Sequence, residues 1–119
     1  MSLKNLLEKV KSNNFTICVL GLGRVGLPLA TVFANSGIKV LGVDVNQERL
    51  DSIKNSKCPF YDPELQSILE QALSSKNLVL SSSLDSISNA TSVIFVTVGT
   101  PTLENSIDYS QVYSALNKI

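Results

Sequence analysis

The chain has 119 residues, 44% of them apolar, and ten basic side chains against ten acidic ones. That is enough for one domain whose core needs no disulfide or metal staple, and the scattered, balanced charge gives no reason to expect a nucleic-acid or membrane partner. No apolar run approaches the roughly 20 residues of a membrane helix. With no histidine, and with Cys18 and Cys58 outside any C-x-x-C pair, no metal site is expected and a reduced, cytoplasmic compartment is the simplest reading.

Leu3, Leu6, Leu7 and Val10 recur at helical spacing and predict a short amphipathic helix over 3–12, an N-terminal extension ahead of the first strand. It lacks the apolar h-region of a signal peptide. Residues 15–20 (Phe-Thr-Ile-Cys-Val-Leu) read as a buried strand. Gly21-Leu22-Gly23-Arg24-Val25-Gly26 follows, and Val25, Leu29, Ala30, Val32 and Phe33 then recur at helical spacing up to Gly37. Residues 38–43 make a second strand that ends at Asp44.

Strand, glycines, helix, strand and acid, in that order, form the dinucleotide fingerprint. Gly21 lets the chain turn out of the strand, Gly23 lets a pyrophosphate approach the backbone, and Gly26 lets the helix pack close to the sheet. The helix start offers free N–H groups and a partial positive charge to phosphates, and Pro28 suits a first turn that has no intrahelical donor to lose. Asp44 lies eighteen residues past Gly26, where a carboxylate would accept from the adenosine ribose 2′-hydroxyl and repel a 2′-phosphate, favouring NAD over NADP. The plainer alternative is a glycine-rich turn with a capping aspartate.

Asn46 caps a second helix carrying Leu50 and Ile53, and residues 56–61 form a loop. Asp62-Pro63 opens a third helix with an acid at the cap and proline at the first position; Leu65, Ile68, Leu69, Ala72 and Leu73 are its apolar stripe. A short strand is expected at 78–80, a short helix capped by Asp85 at 85–90, and a buried strand at 92–98. Gly99-Thr100-Pro101-Thr102 is expected to be a loop at the carboxyl end of the sheet. Asp108 and Gln111 resemble a capping box for a last helix that reaches Ile119. Alternating strands and helices indicate an α/β fold, a Rossmann-type doubly wound parallel sheet with helices on both faces. Such a fold continues into further strands and a catalytic domain, so a longer parent protein is expected.

With the glycine motif, Asp44, Tyr61-Asp62-Pro63 and Val98-Gly99-Thr100-Pro101-Thr102 in sequence, the chain from about residue 15 onward resembles the N-terminal NAD-binding domain of the UDP-glucose/GDP-mannose dehydrogenases, the nucleotide-sugar 6-dehydrogenases. Gly-Leu-Gly-x-x-Gly-Leu-Pro and Gly-Val-Asp-x-Asn look most like the UDP-N-acetylmannosamine dehydrogenase branch. The resemblance implies NAD as cofactor, held by Gly21, Gly23, Arg24, Val25 and Gly26. It implies that Asp44 holds the adenosine ribose, that Arg49 flanks the adenosine end, and that Thr100 and Thr102 sit beside the cofactor. A solvated helix charge at Arg49 and a plain turn at Thr100-Pro101 remain open.

For the parent, the resemblance implies oxidation of a UDP-sugar C6 alcohol to the carboxylate by two hydride transfers to NAD, in polysaccharide biosynthesis and in a homo-oligomer. The catalytic cysteine and most sugar contacts lie outside this chain in that family, so no residue here is expected to be catalytic and this segment alone is expected to be inactive. Two departures stand out: Asp62 where many members carry glutamate, and Glu64 where many carry glycine. Residues 56–64 are therefore left out of the expected site. Cys58 has no histidine to activate it and is expected to be a bystander.

A competing class is the nucleotide-sensing regulatory domain of potassium channels and transporters, which also resembles Gly-Leu-Gly-Arg-Val-Gly with an acid after the second strand. Those domains usually carry Gly-Asp after the third strand, where this chain has Leu80-Ser81-Ser82-Ser83, and they lack the Gly-Thr-Pro loop. An S-adenosylmethionine-dependent methyltransferase leaves that loop unexplained as well.

Overall fold

The computed structural model describes residues 2–5, 8, 16–83, 85, 87, 91–99, 102–103, 106–107 and 109–118. Its elements run β1 (Thr16–Leu20), α1 (Gly26–Asn35), β2 (Lys39–Val43), α2 (Gln47–Lys54), α3 (Pro63–Ser74), β3 (Leu78–Ser81), β4 (Val93–Val96), β5 (Thr102–Leu103), β6 (Ser106–Ile107) and α4 (Ser110–Lys118). The first four strands form one sheet in the order β3-β2-β1-β4, and every pairing in it is parallel: Cys18 faces Leu41 and Ile94, and Leu41 faces Val79. This is the expected Rossmann-type sheet. Among the described residues, no helix is long and apolar enough to cross a membrane.

The pleat divides β1 between two cores. Ile17 and Val19 face one side, where Leu27, Ala30 and Ala34 of α1, Leu50 and Ile53 of α2, and Leu65, Leu69 and Ala72 of α3 close over them. Cys18 and Leu20 face the other side with Val43, against Leu41, Ile87, Ile94, Val96 and Val98. The three helices α1 to α3 thus share one face of the sheet. Asn46 caps α2 by accepting from Arg49 N–H, Asp62 caps α3 by accepting from Leu65 N–H, and Pro63 opens α3, all as the residue types require.

Three expectations are corrected. The buried stripe of α1 is Leu27, Ala30, Thr31 and Ala34, whereas Val25 and Val32 are exposed at 69% and 55%. The small residues are the inward ones because α1 is wedged between the sheet and α3, where Asn35 Nδ2 donates to Ile68 O at 3.1 Å. Strand β4 is assigned over Val93–Val96 rather than 92–98, although Ser92 N–H and Thr97 N–H still bond across to Thr16 O and Leu20 O, both at 2.8 Å. Beyond it, Thr102 is not in a loop: Thr102–Leu103 pairs antiparallel with Ser106–Ile107. Most of the expected helix at 85–90, parts of the N-terminal helix at 3–12, and Asp108 of the capping box lie outside the described residues.

Candidate functional site at the carboxyl ends of β1 and β4

From β1 the chain winds outward to β2 and β3, then crosses back to place β4 on the other side of β1. The carboxyl ends of β1 and β4 therefore flank the topological switch point, where open α/β sheets bind ligands. The glycine segment 21–26 leaves β1 at this point, and Thr97 leaves β4 beside it.

Gly21 has φ of +92°, and a Cβ there would stand 2.7 Å from the Thr97 carbonyl oxygen. Its N–H donates to Val43 O at 2.8 Å. Gly26 is still more confined: a Cβ there would lie 1.8 Å from Gly21 O and 2.4 Å from Thr97 Oγ1. Gly23 is the opposite case, with nothing within 4 Å of the Cβ it lacks. Between them, Leu22 is wholly buried and its side chain packs across the bare Cα of Gly42, anchoring the loop in the core.

Asp44 is 5% exposed. Its Oδ2 accepts from Leu22 N–H and from Arg49 Nη1, each at 2.8 Å, and its Oδ1 accepts from Asn46 N–H at 2.8 Å. Burial by itself would raise the Asp44 pKa. The two backbone N–H donors, with the hydrogen bond and charge of Arg49, outweigh that and hold it below the usual carboxylate value. A carboxylate offers about four acceptor positions, so these three donors leave one, on Oδ1. The expected ribose acceptor is thus also a structural clamp that ties β2 to the glycine loop.

Arg49 is in contact with Asp44 rather than free in solvent. Arg24 is exposed in the glycine turn, with its guanidinium carbon 5.1 Å from the centroid of the Phe60 ring, a cation–π distance. Phe60 belongs to the loop left out of the site on sequence grounds, yet the structure brings it there. An open groove of about 510 Å³, lined by residues from Cys58 to Pro63 and by Gln66, lies along that loop. Gln66 braces it by accepting from Cys58 N–H at 2.8 Å and donating to Ser56 O. Cys18 lies inside the sheet, where burial pushes its thiol up to about 11, so it is no nucleophile. Thr100 lies outside the described residues; Thr102 opens β5, paired with Ile107.

Thr97 was missed. Its hydroxyl lies 2.9 Å from Leu20 O and 2.7 Å from Gly21 O, so it touches the first glycine of the motif from the neighbouring strand. The only sequence signal was a hydroxyl-bearing residue at the end of the strand next to β1, masked because threonine is also an ordinary strand former.

A family model described as the NAD binding domain of the UDP-glucose/GDP-mannose dehydrogenase family matches residues 15–119. The chain belongs to that family. Among its relatives in this dehydrogenase family, the UDP-N-acetyl-D-mannosamine dehydrogenase of Methanococcus maripaludis is 39% identical over 108 residues, covering 87% of this chain and 24% of the relative. The UDP-glucose 6-dehydrogenase of Pseudomonas aeruginosa is 36% identical over 104 residues, covering 87% and 23%. Of solved structures, the UDP-glucose dehydrogenase of Pyrobaculum islandicum superposes with a TM-score of 0.81 at 35% identity, covering 87% of this chain and 24% of that one. The chain spans about a quarter of the length of these relatives. It is the NAD-binding domain of the UDP-glucose/GDP-mannose dehydrogenases, and NAD is its cofactor. Nothing among these matches supports the channel regulatory module.

Proposed function

We propose that the chain holds NAD across the switch point, with the pyrophosphate on the N-terminal end of α1 and against Gly23. The observation that carries this is the contrast within one loop. Gly21 and Gly26 are confined by protein atoms, while Gly23 faces open space at a helix start that no side chain caps and whose dipole favours an anion. In this reading, the remaining acceptor position of Asp44 takes a ribose hydroxyl, and a 2′-phosphate is repelled by the same carboxylate. Arg49 flanks the adenosine end, while Arg24 and Val25, both exposed, border the phosphates. Thr100 and Thr102 serve the nicotinamide side, where the chain continues from β4.

In the whole protein this domain would serve an NAD-dependent UDP-sugar 6-dehydrogenase of the UDP-N-acetylmannosamine or UDP-glucose type, which oxidises the C6 alcohol to the carboxylate. NAD supplies the hydride acceptor, and this segment orients it. The catalytic cysteine and most sugar contacts are placed outside the chain, in a cytoplasmic homo-oligomer of polysaccharide biosynthesis with neither nucleic-acid nor membrane partners. The printed activities of the relatives support this reading. Calorimetric titration of the 119-residue chain tests its first half: NAD should bind and NADP should bind at least tenfold more weakly. Equal affinity for the two would remove Asp44 from the ribose site. The isolated chain should oxidise neither UDP-glucose nor UDP-N-acetylmannosamine.

A further inference from the structure

Asp44 and Thr97 come from different strands and meet the same peptide unit, the one that joins Gly21 to Leu22. Its N–H end donates to Asp44 Oδ2 at 2.8 Å, and its C=O end lies 2.7 Å from Thr97 Oγ1. A peptide unit is planar and stiff, so holding both ends fixes its tilt. The residue before it has φ of +92°, a region open to many glycine conformations, so the local chain does not fix that tilt by itself. The residue after it is the buried Leu22, and next comes Gly23, which faces open space. The carbonyl is also pressed against Gly26, where a Cβ would come within 1.8 Å of the oxygen. Rotation of this one plane would therefore carry Gly23 away from its position and drive Gly21 O into the start of α1.

We propose that Thr97 is a positioning residue for the cofactor pyrophosphate: its hydroxyl, opposite Asp44, locks the Gly21–Leu22 peptide plane and so presets the glycine loop. The hydroxyl has one proton and two carbonyls in reach, Leu20 O at 2.9 Å and Gly21 O at 2.7 Å. Leu20 O already accepts the Thr97 N–H at 2.8 Å, and Gly21 O is the nearer of the two to the hydroxyl, so the proton gains more on Gly21 O. Because Thr97 directly follows β4, the lock also ties the loop to the end of that strand.

The inference rests on the NAD reading, and the test separates the two. Thr97→Ala removes the hydroxyl without adding bulk, and Thr97→Ser restores it. Titration of the full chain with NAD, ADP and adenosine should show the alanine variant weakened on the order of tenfold for NAD and ADP, which carry the pyrophosphate. Adenosine, held at the Asp44 side, should change by less than about twofold, and the serine variant should return NAD binding to within about threefold of the parent. A merely structural threonine would lower adenosine binding in step with NAD, or leave the alanine and serine variants alike; either result overturns the proposal. Failure of the unaltered chain to bind NAD overturns the dinucleotide reading itself.

Discussion

Gly26 and Gly23 sit three residues apart in one loop and are glycines for different reasons. At Gly26 the protein itself fills the space, with Gly21 O and Thr97 Oγ1 standing where a Cβ would go. At Gly23 the space is open, so within the chain nothing requires glycine. The first glycine is a packing device, and the second, in the proposed reading, keeps its space for a ligand. A fold can demand one without the other, and the pair together separates a binding loop from a tight turn.

The largest break in that contrast should come from Gly26→Ala. A methyl 1.8 Å from a carbonyl oxygen must push the helix off the sheet, and overpacking of this kind costs about 3 kcal/mol. Urea denaturation should show it, and an unchanged midpoint would mean the loop is not confined as described. Next comes Asp44→Ala, which strands the buried Leu22 N–H and frees Arg49; the expected loss of stability is about 2 kcal/mol, together with loss of NAD affinity. Full retention of both would remove Asp44 from clamp and site alike.

Acid should reproduce part of that loss without mutation. The Asp44 pKa is lower folded than unfolded, so the unfolded chain binds the proton more readily. The Asp44 contribution is then complete above the unfolded value of about 3.9 and is lost as pH falls from there through the folded pKa. In Asp44→Asn this part of the acid sensitivity should be missing, and an identical stability profile for mutant and parent below about pH 4 would contradict it.

Gly23→Ala sharpens the comparison from the other side: stability should stay within about 0.5 kcal/mol of the parent, while NAD affinity falls at least tenfold. A stability loss like that of Gly26→Ala would erase the distinction. The smallest effect belongs to Phe60→Leu, which removes the ring under Arg24. An exposed cation–π pair contributes about 0.5–1 kcal/mol, so NAD affinity should fall no more than about fivefold, with no change if Arg24 does not touch the phosphates.

The fold was largely legible because its signals are local and of one kind. The apolar runs before Gly21 and Asp44, the caps at Asn46 and Asp62 and the proline at 63 each state a strand, a helix start or a stop. The α1 stripe held at Ala30 and Phe33, which meet the core, and misled at Val25 and Val32, because periodicity reports hydrophobicity while this helix also buries the small Thr31 and Ala34. The site was half legible. Glycines and Asp44 announce themselves by spacing, but Thr97 reaches Gly21 across 76 positions of sequence, and Phe60 reaches Arg24 from a loop with no motif of its own. That Asp44 would already be engaged by three donors within the protein was also beyond reach, since spacing locates a carboxylate without revealing its neighbours.

Strand β1 is hydrogen-bonded to β2 along one edge and β4 along the other, and Cys18 and Val19 within it are wholly buried. Its amides should be among the slowest in the molecule to exchange with deuterium, opening only when the sheet comes apart. The glycine loop grows directly from this strand, and its Leu22 is embedded in the same core. The lifetime of the loop's shape is therefore tied to that of the most persistent part of the domain, and in the proposed reading a cofactor arriving from solution meets a surface that does not have to wait to form.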